Sequence, residues 1–142
     1  MNNREIPEQL FQVGVKGIIR NADGLYLCLI ASEGGYHDIP GGRIAEGEDI
    51  LQTLEHEIWE ESGIPASMYT ISPRGVPILT NKYISWHPNK PRLLLLIYTC
   101  QLTGNPTIEL SHEHTDYSWE TARDLYEKST ILQGIPFETL FE

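Results

Sequence analysis

Long hydrophobic runs are missing from this chain. The longest, Leu93 to Ile97, meets polar residues within a few positions and falls far short of the roughly 20 residues that a membrane-spanning helix needs. A secretory signal is missing too: Met1 to Gln9 holds Arg4, Glu5, Pro7 and Glu8 without an apolar core or a small-residue cleavage pattern, so the cytoplasm is the expected compartment. Basic residues are scarce. Ten Lys and Arg against 20 Asp and Glu give a net charge of −10, which argues against binding nucleic acid or an anionic membrane, because counterion release needs many cations on one face. An acidic protein can still handle phosphates through a mediating cation. Cysteine is nearly absent: Cys28 and Cys100 each lie inside an apolar, strand-like stretch rather than in a metal-spaced or redox pair, and are expected to be buried free thiols. Repeats and low-complexity tracts are also lacking. What remains is a chain of 142 residues, 40% apolar and 21% charged, the composition of one globular domain around one core.

Apolar periodicity divides that chain into elements. Phe11 to Arg20 alternates, Asn21-Ala22-Asp23-Gly24 is a turn signal, and Leu25 to Ala31 follows, which reads as a hairpin. After a Gly-rich loop, Ser32 to Tyr36, the run Ile39-Pro40-Gly41-Gly42 reads as a strand end breaking into a glycine turn. Between Asp49 and Ser62, apolar residues at 50, 51, 54 and 58 have helical spacing, with Gly63 and Pro65 as stop signals. Tyr69 to Ser72, Val76 to Ile84 and Leu93 to Leu102 read as strands, and the loop Trp86 to Pro91 between the last two is a candidate specificity element. Tyr117 to Trp119 reads as a short strand, Thr121 to Lys128 as a helix capped by Thr121, and Pro136 to Phe141 as a last helical turn. Strands mixed with helices, without βαβ repetition, imply a mixed sheet covered by helices.

The helix between Asp49 and Ser62 carries an anomaly. Glu57, Glu60 and Glu61 project from one side within about a turn. Like charges at this spacing cost a few tenths of a kcal/mol, and the C-terminal end of a helix prefers cations by about 0.3–1 kcal/mol per charge. A solvated acidic face would account for such a cluster standing alone. Here Gly41-Gly42 and a fourth carboxylate, Glu48, stand at the entry to the same helix, and local rules broken together mark function. Hard divalent cations such as Mg²⁺ take oxygen ligands from a few carboxylates while phosphates and water complete the shell, and diphosphate hydrolysis needs such ions.

These residues resemble the box of the Nudix hydrolases: Gly, five residues, Glu, seven residues, then Arg-Glu-apolar-any-Glu-Glu-any-Gly-apolar. Here it reads Gly42, Glu48, then His56-Glu57-Ile58-Trp59-Glu60-Glu61-Ser62-Gly63-Ile64. The resemblance implies a single-domain α/β/α sandwich with a mixed β-sheet, and divalent-metal-dependent cleavage of a diphosphate linkage, with Mg²⁺ as cofactor and Mn²⁺ as substitute. It further implies that Glu57, Glu60 and Glu61 bind metal with the carbonyl of Gly41, that Glu48 is a ligand or supports one, and that Glu57 or Glu61 orients or deprotonates water. His56 is the departure, standing where the pattern has Arg. A histidine still donates to a neighbouring carboxylate but lacks the permanent planar fork, so weakened activity or an altered pH dependence is expected rather than a dead enzyme.

Many family members draw a further acid from a loop after the box. The segment Ser111 to Asp116 offers Glu113 first, with Glu109 and Asp116 behind it, against the reading of a polar surface loop. For a nucleotide-type small-molecule substrate, Tyr36, Tyr83, Trp86 and His87 offer stacking surface; Arg43, Lys82, Lys90 and Arg92 offer charge, Arg43 foremost because it follows the glycine turn. Trp59 and Trp119 read as packing residues. A nucleoside triphosphate or small nucleoside diphosphate derivative is the favoured substrate class, and a homodimer stays open. The main alternative is a nucleotide-binding sensor with lapsed chemistry, suggested by His56. An isomerase would need a pocket cysteine, which the strand positions of Cys28 and Cys100 disfavour, and a calcium module would carry its ligands in a loop.

Overall fold

The computed structural model describes residues 6–141, so part of the Met1 to Gln9 segment lies outside it. Eight strands form one sheet: β1 (Phe11–Arg20), β2 (Tyr26–Ala31), β3 (His37–Asp38), β4 (Gly41–Arg43), β5 (Tyr69–Ile71), β6 (Val76–Tyr83), β7 (Arg92–Leu102) and β8 (His114–Glu120). Helices α1 (Ile50–Ser62), α2 (Ala122–Lys128) and α3 (Phe137–Leu140), with 3₁₀ turns at Ala66–Met68 and Thr130–Gly134, complete the chain. The strand order is β3-β2-β1-β7-β5, with β4 on β1, β6 on β7 and β8 on β2. All pairings are antiparallel except β1 with β7, which runs parallel from Phe11↔Arg92 to Arg20↔Gln101. The expected mixed sheet is present, and it lies between helices.

The hairpin expected from Asn21 to Gly24 forms at its tip and then divides. Asn21 Oδ1 accepts from the amides of Asp23 and Leu25, and Gly24 takes φ 79°, the left-handed conformation such a turn requires. Beyond Arg20↔Tyr26, β1 and β2 part. The chain between them binds both flanks: β3 pairs with β2 through Leu29↔Asp38 and Ile30↔His37, while β4 pairs with β1 through Gly14↔Arg43, Val15↔Gly42 and Lys16↔Gly41. Ile39 and Pro40 cross from one to the other, the Gly17 amide donating to the Pro40 carbonyl at 2.9 Å, so Gly41-Gly42, expected as a turn, is instead the start of β4, recruited by pairing with β1. A Cβ on Gly41 would come within 2.7 Å of Lys16 Cα, so only glycine allows this approach.

Helix α1 starts and stops where the sequence indicates. Asp49 caps it by accepting from the Gln52 amide at 2.8 Å, and Gly63 ends it at φ 75°, its amide donating to the Trp59 carbonyl. Its apolar stripe, Leu54 and Ile58, is wholly buried against Val15, Ile19, Leu27 and Leu29 on one face of the sheet. Gly17 makes the fit close, since a Cβ there would lie 3.3 Å from Leu54 Cδ1. The opposite face carries Ile18, Cys28, Leu95 and Ile97, covered by Leu125 of α2, Leu132 and Leu140 of α3. Cys28 and Cys100 are buried and unpaired, as expected. Trp119 packs beside the first cluster, but Trp59 corrects the expectation: its side chain is 55% exposed, because it lies a helical step away from the Leu54–Ile58 stripe. β8 begins at buried His114, so the segment expected as a polar loop after Ser111 is half strand, recruited by pairing with β2. None of the described helices is long and apolar enough to cross a membrane.

Ile58 anchors the helix that carries the carboxylates. Ile58→Ala is expected to lower unfolding stability by about 2–5 kcal/mol in urea titration; a loss under about 1 kcal/mol would show that α1 is held by something other than this stripe.

Candidate active site

The last two turns of α1 lie against Gly41-Gly42, the glycine pair of β4. Glu61 is 5% exposed, and its Oε2 accepts from the Gly41 amide at 2.8 Å. Glu57, half-buried, presses its carboxylate on Gly42, where a Cβ would come within 2.6 Å of Cδ. Glu60 turns outward to His56, Oε1 to Nε2 3.1 Å, both side chains more than half exposed. Glu48 is exposed at the loop entering α1, its Oε1 accepting from the Ala45 amide at 3.3 Å. Glu57 and Glu61 are thus gathered at Gly41-Gly42, while Glu60 and Glu48 are held by neighbours of their own. Among the described residues, no three His, Cys, Asp or Glu side chains converge as a ready metal cage.

Burial, followed by the charge of Glu60, lifts the Glu57 carboxyl above the ordinary range; His56 lowers it, and Glu113 and Glu48 add to the rise. Burial pushes Glu61 up to about 8, against the opposing effects of the Gly41 amide and Lys16, with Glu57 and Asp38 raising it further. A buried and a half-buried acid side by side at one helix end make a site that added positive charge would stabilise.

Of the later acids, only Glu113 is brought here. It precedes β8, its carbonyl accepts from the Ser32 amide at 2.8 Å, and it lines a hollow of about 540 Å³ with Glu61, Asp38, Tyr36, His112 and His114. Glu109 lies beside Gly63 at the far end of α1, and Asp116 is exposed on β8 opposite Ile30; neither lines this hollow.

On the sheet face opposite α1, a cavity of about 790 Å³ opens beside Gly42. Arg43, Tyr36, Tyr83 and Trp86 all line it, with Lys82 and an apolar floor that includes Leu93 and Leu95. The Arg43 guanidinium lies 5.5 Å from the Trp86 ring centre. His87, Lys90 and Arg92 are not among its walls; Arg92 is bound to the Thr80 carbonyl at 2.9 Å and to Asn81.

Two side chains at this cavity escaped the sequence reading. Lys16 Nζ donates to Asp38 Oδ1 at 2.8 Å and to the Ile39 carbonyl at 3.1 Å, and Asp38 Oδ2 faces His114 Nε2 at 3.7 Å. The available signal was a lone lysine inside the β-branched run of β1, on an inward-facing position two residues before Ile18.

A mixed sheet between helices, with an acidic helix end seated on a glycine pair of the sheet, is the Nudix-type architecture. The solved C. elegans Ap4A hydrolase binary complex shares the fold at TM-score 0.72, 22% identity, covering 87% of this chain and 93% of that one. The E. coli dihydroneopterin triphosphate pyrophosphohydrolase does so at TM-score 0.73, 20% identity, covering 92% and 97%. In sequence, the nucleoside triphosphatase NudI of E. coli K12 is 29% identical over 114 residues, 76% of this chain and 80% of that protein. The family description NUDIX domain matches residues 10–137. The chain therefore belongs to the Nudix family.

Glu61 sets a pH signature for the metal-free protein. A carboxyl whose folded pKa lies above its unfolded value contributes stability that is full below about 4.5 and is lost as pH rises through about 8. The melting temperature in chelator is expected to fall across that window, and Glu61→Gln to remove that part of the slope. Calorimetry of both proteins checks this; parallel curves would mean that Glu61 is not held protonated by the fold.

Proposed function

We propose that this chain, acting as a single cytoplasmic domain, hydrolyses a diphosphate linkage in a nucleoside triphosphate or small nucleoside diphosphate derivative with the help of Mg²⁺, or Mn²⁺ in its place. The observation that carries the reading is the pair Glu57 and Glu61, pressed on Gly41-Gly42 with raised carboxyls, at the edge of a cavity bearing Arg43, Tyr36, Tyr83 and Trp86. The donor set fits a hard divalent cation: every acid is a carboxylate, and a nearby positive charge would restore the ionised forms that burial disfavours.

Glu57, Glu60 and Glu61 would hold the ion, with the Gly41 carbonyl and Glu48 in support. The bound metal would neutralise diphosphate oxygens and lower the pKa of attacking water. Glu57, Glu61 or Glu113 orients that water, and Glu113 already bears electrostatically on Glu57. Arg43 draws the phosphates toward the glycine pair, while Tyr36, Tyr83 and Trp86 receive the nucleoside. The relatives agree in type: the matched proteins bear the names nucleoside triphosphatase, Ap4A hydrolase and dihydroneopterin triphosphate pyrophosphohydrolase. The pairing of Glu60 with His56 favours a second reading, a nucleotide sensor without turnover.

Incubating the protein with nucleoside triphosphates, nucleotide sugars and dinucleoside polyphosphates separates the two. Hydrolysis that needs Mg²⁺ or Mn²⁺, stops in chelator, and falls by at least about 100-fold in Glu57→Gln supports the enzyme; nucleotide binding without product, with or without metal, supports the sensor.

His56 pairs with Glu60 as an ion only while protonated. His56→Arg makes that charge permanent, so the ratio of variant to wild-type rate is expected to climb with pH. A flat ratio near unity in the pH–rate profiles would remove His56 from any functional account.

A further inference from the structure

We propose that Lys16 is a substrate-binding residue that holds the phosphate attached directly to the nucleoside, so that a nucleoside 5′-phosphate is recognised here before any metal is present. The inference rests on the nucleotide reading of the cavity and assigns a role to a side chain outside the acidic helix.

Lys16 lies in the middle of β1, on the sheet face that carries the aromatic cavity, and it lines that cavity. Its side chain is 15% exposed, an expensive place for an ammonium unless it is paired and used. Two partners fix it: Asp38 Oδ1 at 2.8 Å and the Ile39 carbonyl at 3.1 Å. Asp38 is itself held, its Oδ1 accepting from the Ile39 amide at 2.9 Å. An ammonium has three donors, and among the described residues only these two acceptors take them.

Position decides what the remaining donor meets. The Lys16 backbone pairs with Gly41, whose amide holds Glu61, and the lysine charge acts on the Glu61 carboxyl. Lys16 therefore bears on Glu61 on one side and on the other lines the cavity that holds Tyr83 and Trp86. The other cations of the cavity are placed differently: Arg43 and Lys82 are exposed, and Arg43 lies over Trp86. A ligand with its base against Tyr83 and Trp86 and its far phosphates toward Glu57 and Glu61 passes its first phosphate over this position. A purely structural lysine, present to balance Asp38 and Glu61, would leave that phosphate unread.

Titration calorimetry in chelator with AMP, GMP, CMP and UMP, each against its own nucleoside, separates these roles without relying on turnover. For whichever base binds, the monophosphate is expected to bind wild type at least about 10-fold more tightly than the nucleoside. Lys16→Met should erase that ratio while leaving nucleoside affinity unchanged, and Lys16→Arg should restore part of it. If the lone Asp38 carboxylate prevents Lys16→Met from folding, the double variant Lys16→Met, Asp38→Asn removes both charges and carries the same comparison. A folded variant that keeps the wild-type ratio overturns the role of Lys16, as does equal wild-type affinity for nucleoside and monophosphate; in both cases the nucleotide reading of the cavity stands. Wild type that binds neither compound overturns both.

Discussion

The approach of α1 to the Gly41-Gly42 pair governs the rest of this structure, and it is possible only because two successive residues have no side chain. Gly41 lies against the Val15 and Lys16 backbone, so a Cβ there would push β4 off β1, while a Cβ on Gly42 would displace the Glu57 carboxylate from its seat. The helix is drawn in by apolar burial of Leu54 and Ile58 against β1 and β2. Hydrophobic attraction thereby presses acids already adjacent on the helix against the glycine pair, and the cost of desolvating them appears as the raised carboxyls of Glu57 and Glu61. The unfavourable electrostatics are supported by packing that lies elsewhere on the same helix.

Charge is distributed around that contact in two zones. Among the described residues, no lysine or arginine lines the hollow at Glu61 and Glu113, while the cavity on the other face of the sheet holds Lys16, Arg43 and Lys82 beside aromatic rings. Tyr36 and Asp38 line both, which makes the two spaces neighbours with a shared wall. An elongated ligand with a neutral ring at one end and several negative charges at the other suits this polarity, provided that cations accompany the charged end.

The helix bearing the acids was legible in the sequence because its signals are local: apolar spacing that includes Leu54 and Ile58, and a stop at Gly63 followed by Pro65. Sequence spacing also marked Glu57, Glu60 and Glu61, since helical geometry fixes their relation. It did not show that Glu61 would be buried and Glu60 turned to His56, because those outcomes depend on what packs across from the helix. The division of the β1–β2 hairpin, the length of β8 and the pairing of Lys16 with Asp38 were hidden for the same reason: each is settled by residues far away in the chain. Trp59 was misread because hydrophobicity alone does not say which side of a helix a residue occupies. Arg43, Tyr36, Tyr83 and Trp86 were nominated by chemical type, and the turn of the sheet brought all four to one cavity.

The parallel pairing of β1 with β7 has a kinetic side. Arg20 and Gln101, partners in that ladder, stand 81 positions apart in sequence, and the acidic helix lies within the intervening segment. Closing so large a loop costs entropy before the ladder returns any contact, so this pairing is expected to form slowly compared with the local turns. Glu57 and Glu61 are neighbours as soon as α1 forms, and the β1–β4 pairing that seats them on Gly41-Gly42 spans far fewer residues than the β1–β7 ladder.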